Sequence, residues 1–217
     1  MTTSAVFAQQ SNTPYVSVTG KGKVTVVPDQ ATITLGVNTE AKDAQTAKTK
    51  NDEAIDAIIK YTKKMGIPEN NVKTQYVSLN KRTKYEEKVD YYSAQQTITV
   101  KLENLDNYEK LMEGLIEQGA NTINGINFSS SKMEEYEKKA RAAAVNDAKE
   151  KAEQYAKVLG QSIGKAIAIT ESGTPDQQPR TMMMKMSSSG DVSAQSETLA
   201  PGEMEIEQQV SISFELK

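Results

Sequence analysis

Residues 131–171 read SKMEEYEKKARAAAVNDAKEKAEQYAKVLGQSIGKAIAITE, and this stretch predicts a long helix followed by a strand. Ser131 and Glu134 have the spacing of a capping box, in which each side chain bonds a free amide at the helix start. Gly160 stands where a left-handed residue closes a helix. Acidic residues precede basic ones by four positions, as in Glu134 and Lys138, which favours a solvated, ion-paired outer face.

The opposite face of this helix carries alanine every four residues, at Ala140, Ala144, Ala148, Ala152 and Ala156. Side chains at this spacing lie on one face, and their small size lets another backbone approach closely. At about 1.5 Å per residue the helix is roughly 40 Å long, longer than an ordinary small sheet is wide. We therefore expect one end to project or to pack on a partner subunit.

Hydrophobic periodicity predicts the elements on either side of this helix. Two further helices are predicted at 43–65 and 106–119, and strands at 15–27, 31–40, 71–82, 93–103, 122–130, 163–171 and 206–216. Pro28-Asp29 predicts the turn of a hairpin between the first two strands. Because the strands alternate in polarity, they indicate a mostly antiparallel α+β fold with the three helices on one face.

The ends and the loops define the expected domain organisation. Val6 and Ala8 occupy the −3 and −1 positions of a secretory cleavage site, so residues 1–8 are interpreted as the remnant of a signal peptide and the protein as exported. A disordered cytoplasmic start is the alternative. Residues 15–217 then form one domain, with a long Met-, Ser- and Pro-rich surface loop at 173–202.

The composition excludes several classes of protein. The chain contains neither cysteine nor histidine, which removes disulfides, the usual zinc sites and every Ser-His or Cys-His catalytic arrangement. A net charge of −3 without a basic cluster gives no reason to expect nucleic acid as a partner. No window reaches the roughly 20 apolar residues of a membrane-spanning helix. We expect no cofactor.

Several stretches together resemble the SIMPL domain family of bacterial exported proteins, also described as periplasmic immunogenic or oxidative-stress-defence proteins. The matching stretches are Val18-Thr19-Gly20-Lys21-Gly22, Pro28-Asp29-Gln30-Ala31, Tyr92-Ser93-Ala94-Gln95-Gln96, Gly119-Ala120, Ile126-Asn127-Phe128, residues 141–164 and Pro201-Gly202-Glu203. The resemblance implies an α+β fold, export, a tendency to self-associate and a link to oxidative stress. It implies no reaction.

Three local patterns are candidate functional sites. Met182, Met183, Met184 and Met186 offer soft thioether ligands for Cu(I), or reversible oxidation to sulfoxide, although methionines also fill subunit contacts or stand in plain disordered loops. The pair Gly20 and Gly22 predicts a bulge rather than a phosphate loop, because a strand continues on both sides. Glu203, Glu205 and Glu207 alternate as on a protected edge strand.

The leading hypothesis is a non-enzymatic, exported, self-associating protein of the cell envelope, linked to oxidative-stress tolerance and acting as a structural or interaction module. The alternative is a Cu(I)-binding or oxidant-buffering protein that acts through the methionine cluster. A hydrolase is the third hypothesis, and only carboxylates and hydroxyls without evident partners would support it.

Overall fold

The computed structural model describes residues 13–86, 88–171, 180–182 and 199–217, the three residues 180–182 by their backbone alone. The strands are β1 (Tyr15–Val26), β2 (Gln30–Ala41), β3 (Val72–Lys84), β4 (Val89–Leu102), β5 (Thr122–Ser129), β6 (Ile163–Glu171), β7 (Arg180–Met182) and β8 (Glu203–Leu216). The helices are α1 (Ala44–Lys64), α2 (Tyr108–Glu117) and α3 (Met133–Val158). The pairings of β1 and β6 with β8, of β4 and β5 with β2, and of β3 with β4 are all antiparallel. The α+β prediction is confirmed.

The described elements group into two compact units. The first contains β1, α3, β6 and β8, and its sheet has the order β1-β8-β6, with β7 also paired to β8. The second contains β2 to β5 with α1 and α2, and its sheet has the order β3-β4-β2-β5. The predicted hairpin between β1 and β2 is wrong, because these strands belong to different sheets. β1 pairs instead with β8 in an unbroken register, from Tyr15 opposite Glu215 to Val26 opposite Met204.

In the first unit, α3 lies along β1 for nearly its whole length. Met133 and Tyr136 of its first turn pack beside Val26 and Met204, and Ala152 packs further along the same sheet. The expectation of a projecting helix assumed a short sheet, but 12 residues of β1 span about 40 Å. That length matches the 26 residues of α3. Only its last turn extends past the core, where Val158 is 87% exposed.

In the second unit, α1 and α2 cover one face of the four-stranded sheet. The core contains Ile33, Leu35, Val37, Ile55, Ile58, Ile98, Val100, Leu102, Leu111 and Leu115. Asn51 is the buried polar residue that fastens α1 to the sheet: its side-chain amide donates to the carbonyl of Val37 on β2 and to that of Ala94 on β4. These bonds satisfy the buried amide and join α1 to both central strands of the sheet.

The predicted capping box at Ser131 is wrong. The hydroxyl and the amide of Ser131 both donate to the carboxylate of Asp29, which follows β1 in the chain. α3 therefore begins at Met133, and its N-cap position is occupied by Lys132, which is not a capping residue type. The end of the helix follows the prediction, because Gly160 has φ +70° and the amide of Gln161 bonds back to the carbonyl of Ala156.

Two of the sequence predictions fall mostly outside the described residues. The signal remnant at 1–8 lies outside them, and so does most of the loop at 173–202. Within that loop the structure does describe β7, so the segment is not irregular throughout. Among the described residues, no helix is long and apolar enough to cross a membrane.

Candidate functional site

The closest contact in the first unit joins the backbone of α3 to the backbone of β1. A Cβ atom added at Gly20 would lie 2.0 Å from the carbonyl oxygen of Ala144, and one added at Gly22 would lie 1.9 Å from that of Ala140. Neither glycine has a strained backbone, and the β1 register runs through both without a bulge. The predicted bulge is therefore wrong. The two glycines are needed because they leave room for the helix.

The alanine stripe is the other half of this contact. All five alanines are at most 1% exposed, and Ala144, Ala148 and Ala152 pack with Val18 of β1 and Ile212 of β8. The stripe does let another backbone approach, as its spacing predicts, and that backbone is β1 of the same chain. Any contact with a partner subunit must therefore use a different surface, because this face is already covered.

Two side chains of α3 also cover the free backbone edge of β1. The carboxylate of Asp147 accepts the amide of Lys21 at 2.8 Å, and the ammonium of Lys151 donates to the carbonyl of Thr19 at 3.1 Å. Asp147 and Lys151 are themselves paired at 2.6 Å. The hydrogen bonds from Lys151 and from the Lys21 amide hold the pKa of Asp147 below its usual value. The middle of this sheet edge is thus closed to an incoming strand.

The alternating acids of β8 have a different role from the predicted one. β8 is the central strand of its sheet, so Glu205 and Glu207 do not protect an edge. They face the lysines of β1 instead: Lys23 contacts Glu205 at 2.7 Å and Glu207 at 3.5 Å, and Lys21 contacts Glu207 at 3.8 Å. The hydrogen bond to Glu205 raises the pKa of Lys23. These pairs favour the correct register of two strands from opposite ends of the chain.

The methionine cluster can be placed only in part. Met182 is the last residue of β7, and its backbone alone is described, while Met183, Met184 and Met186 lie outside the described residues. The prediction of a soft-metal site there stays a prediction. Within the part of the chain that the structure describes, no three acidic side chains gather in the way a metal site would require.

The carboxyl groups show no sign of general-acid chemistry in the described residues. Where a shift is resolved, at Asp29, Asp43, Glu69, Asp90, Glu135 and Asp147, the pKa is lowered and never raised. Hydrogen bonds and ion pairs to the charged form account for these lowered values, whereas a catalytic acid needs a raised pKa. These carboxylates therefore stabilise the fold through hydrogen bonds and ion pairs.

Large apolar side chains are exposed on the edge strands β3, β5 and β6; on β5, Ile123 is 54% exposed. On β3, Val77 is 61% exposed and Leu79 is 44% exposed. On β6, Ile169 is 63% exposed although it stands opposite the buried Ile212 of β8. Residues of this kind, on strands with one unpaired side, are those that a second protein chain could cover. The sequence predicts strands at 71–82 and 163–171 but does not reveal that they lie at sheet edges.

The structure is thus that of an α+β protein, and its distinctive features are the close packing of α3 on β1 and the exposed edge strands. The SIMPL family, described as protein of unknown function (DUF541), matches residues 16–214, and the chain belongs to this family. The resemblance predicted from the sequence is confirmed.

Three named proteins are similar to this chain over most of its length. It is 27% identical to the uncharacterized protein YggE of Edwardsiella ictaluri, with 100% of this chain and 92% of the relative covered. It is 27% identical to the uncharacterized protein YggE of Escherichia coli K12, with 94% of this chain and 84% of the relative covered. It is 28% identical to the 26 kDa periplasmic immunogenic protein of Brucella melitensis biotype 1, with 93% of this chain and 84% of the relative covered.

Proposed function

We propose that this protein is an exported, non-enzymatic component of the cell envelope that associates with copies of itself and acts as a structural or interaction module. The name of the Brucella relative supports the location, since that protein is called periplasmic. The cleavage-site pattern around Ala8 supports export independently. The link to oxidative-stress tolerance comes from the family resemblance and is part of the proposal.

The observation that carries self-association is the pair of uncovered edge strands. Val77 and Leu79 on β3, and Ile169 on β6, are large apolar side chains that the chain's own helices leave in contact with water. Burying such a side chain stabilises a contact by about 1.5–3 kcal/mol. The alanine stripe and the edge of β1 are occupied within the chain, so self-association would use an edge strand that is still open.

The non-enzymatic part of the proposal is supported by the chemistry of the side chains. The sequence has no histidine or cysteine, so a general base or nucleophile would have to be built from carboxylates, lysines, tyrosines or hydroxyls. The described carboxyl groups with resolved shifts are fixed by cations, amides or hydroxyls, and their pKa values are lowered. A hydrolase that used a carboxylic acid as its general acid would need at least one carboxyl group with a raised pKa.

The proposal is tested by measuring the mass of residues 9–217 by light scattering after size exclusion, over a tenfold range of concentration. A discrete multiple of the monomer mass that persists on dilution is the expected result. A monomer at every concentration would refute self-association. Export is tested separately, by detecting the protein in the periplasmic fraction of the bacterium that carries its gene naturally; its retention in the cytoplasmic fraction would refute export.

A second candidate function rests on the sequence at 181–186, where four of six residues are methionine. Thioethers bind Cu(I) and react reversibly with oxidants. This function would also connect the chain to oxidative stress, and it does not require self-association. The two candidates are therefore separable by experiment.

A further inference from the structure

We propose that the outer edge of β3 is the surface through which two copies of this chain associate, by antiparallel pairing of β3 with β3 of the second copy. The register centres on Ser78, which stands opposite Ser78 of the second copy. The inference rests on the proposed self-association and names its surface. The pairing would join two four-stranded sheets into one sheet of eight strands.

Comparison of the four sheet edges in the described residues selects β3. The edge of β1 is closed by Asp147 and Lys151. β6 carries two register shifts within nine residues, and such irregularities disfavour continuous pairing. β5 has only eight residues and is interrupted near Gly125, which has φ +146°.

β3 has one register shift, between Thr74 and Tyr76, and after it keeps an unbroken register with β4 over nine residues, from Tyr76 to Lys84. It therefore presents the longest regular edge that the chain leaves open. Its stretch from Gln75 to Asn80 contains no charged residue, so nothing there opposes the approach of a second strand.

The apolar residues of β3 lie on the face of the sheet that carries α1. Leu79 stands opposite Ala94, which is 4% exposed and belongs to the buried face of β4. Val77 lies on the same face, two residues away. Both remain exposed because α1 covers mainly β2 and β4, as the hydrogen bonds of Asn51 to those two strands show. A second β3 paired to this edge would cover Val77 and Leu79, which α1 leaves exposed.

The residue pattern selects the register. With Ser78 at the centre, Val77 of each copy stands opposite Leu79 of the other, so the two exposed apolar pairs meet twice on one face. Regular pairing then covers residues 76–80 of both copies, and Lys81 and the basic residues after it lie beyond the point where the regular part of the second β3 begins, at Tyr76. A shift of the centre to residue 77 would place Leu79 opposite Gln75, at the register shift, and a shift to residue 79 would place Val77 opposite Lys81. Both are less favourable.

The first test introduces a charge into the proposed contact. Val77→Lys and Leu79→Lys place an ammonium on exposed positions, so the fold tolerates them, and unchanged circular dichroism and melting temperature verify this. Ile169→Lys on β6 is the matched control, because that isoleucine is also on an edge strand and is about as exposed as Val77. We expect the β3 variants to dissociate at concentrations at least about tenfold higher than the wild type, whereas the control associates normally.

The second test uses the absence of cysteine in the chain. Ser78→Cys introduces one thiol, which faces its own copy in the proposed register, so mild oxidation yields a disulfide-linked dimer. Thr83→Cys on the same strand is the control, because with Ser78 at the centre the two copies of residue 83 would lie about ten residues apart along the paired strands and should stay unlinked. The extent of linkage is measured by non-reducing electrophoresis.

The outcomes separate this inference from the proposed function. If the wild type associates, the lysine variants also associate and Ser78→Cys does not cross-link, the β3 inference is overturned and self-association stands. If Ile169→Lys alone dissociates the protein, the surface is β6. If the wild type is a monomer throughout, both the inference and the self-association proposal fail.

Discussion

Replacing Gly20 by alanine should destabilise the first unit strongly, although the change adds a single methyl group. The new Cβ would lie 2.0 Å from the carbonyl oxygen of Ala144 and 2.6 Å from the amide nitrogen of Ala148. An ordinary contact begins at 3.4 Å, so strand and helix must separate by about 1.4 Å locally. The obstructing atoms are backbone, so no side chain can rotate away, and the neighbouring alanines would lose their close packing. We expect a loss of about 3 kcal/mol.

Gly164→Ala is the matched control, since it adds the same methyl group within the same unit. Its Cβ would meet the carboxylate of Glu215 and the side-chain end of Lys217, which are flexible and can move away. Urea unfolding followed by circular dichroism measures both variants, and with a slope of about 2 kcal/mol per molar the Gly20 variant should shift the midpoint by about 1.5 M. Equal midpoints for the two variants would refute the close-packing argument.

Two further predictions concern Asp29 and the methionine cluster. Burial is the largest single influence on the pKa of Asp29 and pushes it up, but the hydrogen bonds from Ser131, Ser130 and the Asp29 amide together outweigh it and hold the pKa below its usual value. Asp29→Asn should therefore cost about 1 kcal/mol at neutral pH. Because the folded-state pKa is the lower one, this difference is complete above the unfolded pKa and shrinks as the pH falls through the folded pKa. Unfolding curves at pH 7 and pH 3 check this, and a pH-independent difference would contradict it. The second prediction concerns a fourfold variant in which leucine replaces Met182, Met183, Met184 and Met186. This variant should lose Cu(I) binding and form less sulfoxide, whereas Met112→Leu, at a buried position, should change neither property. Unchanged Cu(I) affinity in the fourfold variant would remove the soft-metal hypothesis.

The packing of α3 shows what the sequence could and could not predict. Five alanines at a spacing of four residues indicate a close backbone contact, since this depends only on the local geometry of a helix. The partner backbone could not be identified, because it lies about 120 residues earlier in the chain. One signal was available: glycines two residues apart in a strand share a face, and their spacing suits a row of alanines.

Two errors have the same origin. The capping box at Ser131 was predicted from Glu134, three residues later, whereas the partner of Ser131 is the carboxylate of the distant Asp29. The acids of β8 were predicted to protect an edge strand, because their partners Lys21 and Lys23 lie at the opposite end of the sequence. Local patterns therefore predicted the elements and the α+β class, whereas strand order and the partners of polar side chains depend on distant residues.

The pairing of β1 with β8 also determines when the first unit can fold. Tyr15 and Glu215 are neighbours in the sheet but about 200 residues apart along the chain, so this contact closes nearly the longest loop available. At ordinary rates of synthesis, roughly 10 to 40 s pass between completion of β1 and arrival of β8. During that time α3 has no complete sheet to cover, while residues 27–131 already hold all strands and helices of the second unit. The order of the elements therefore favours sequential folding, in which the first unit waits for the final residues.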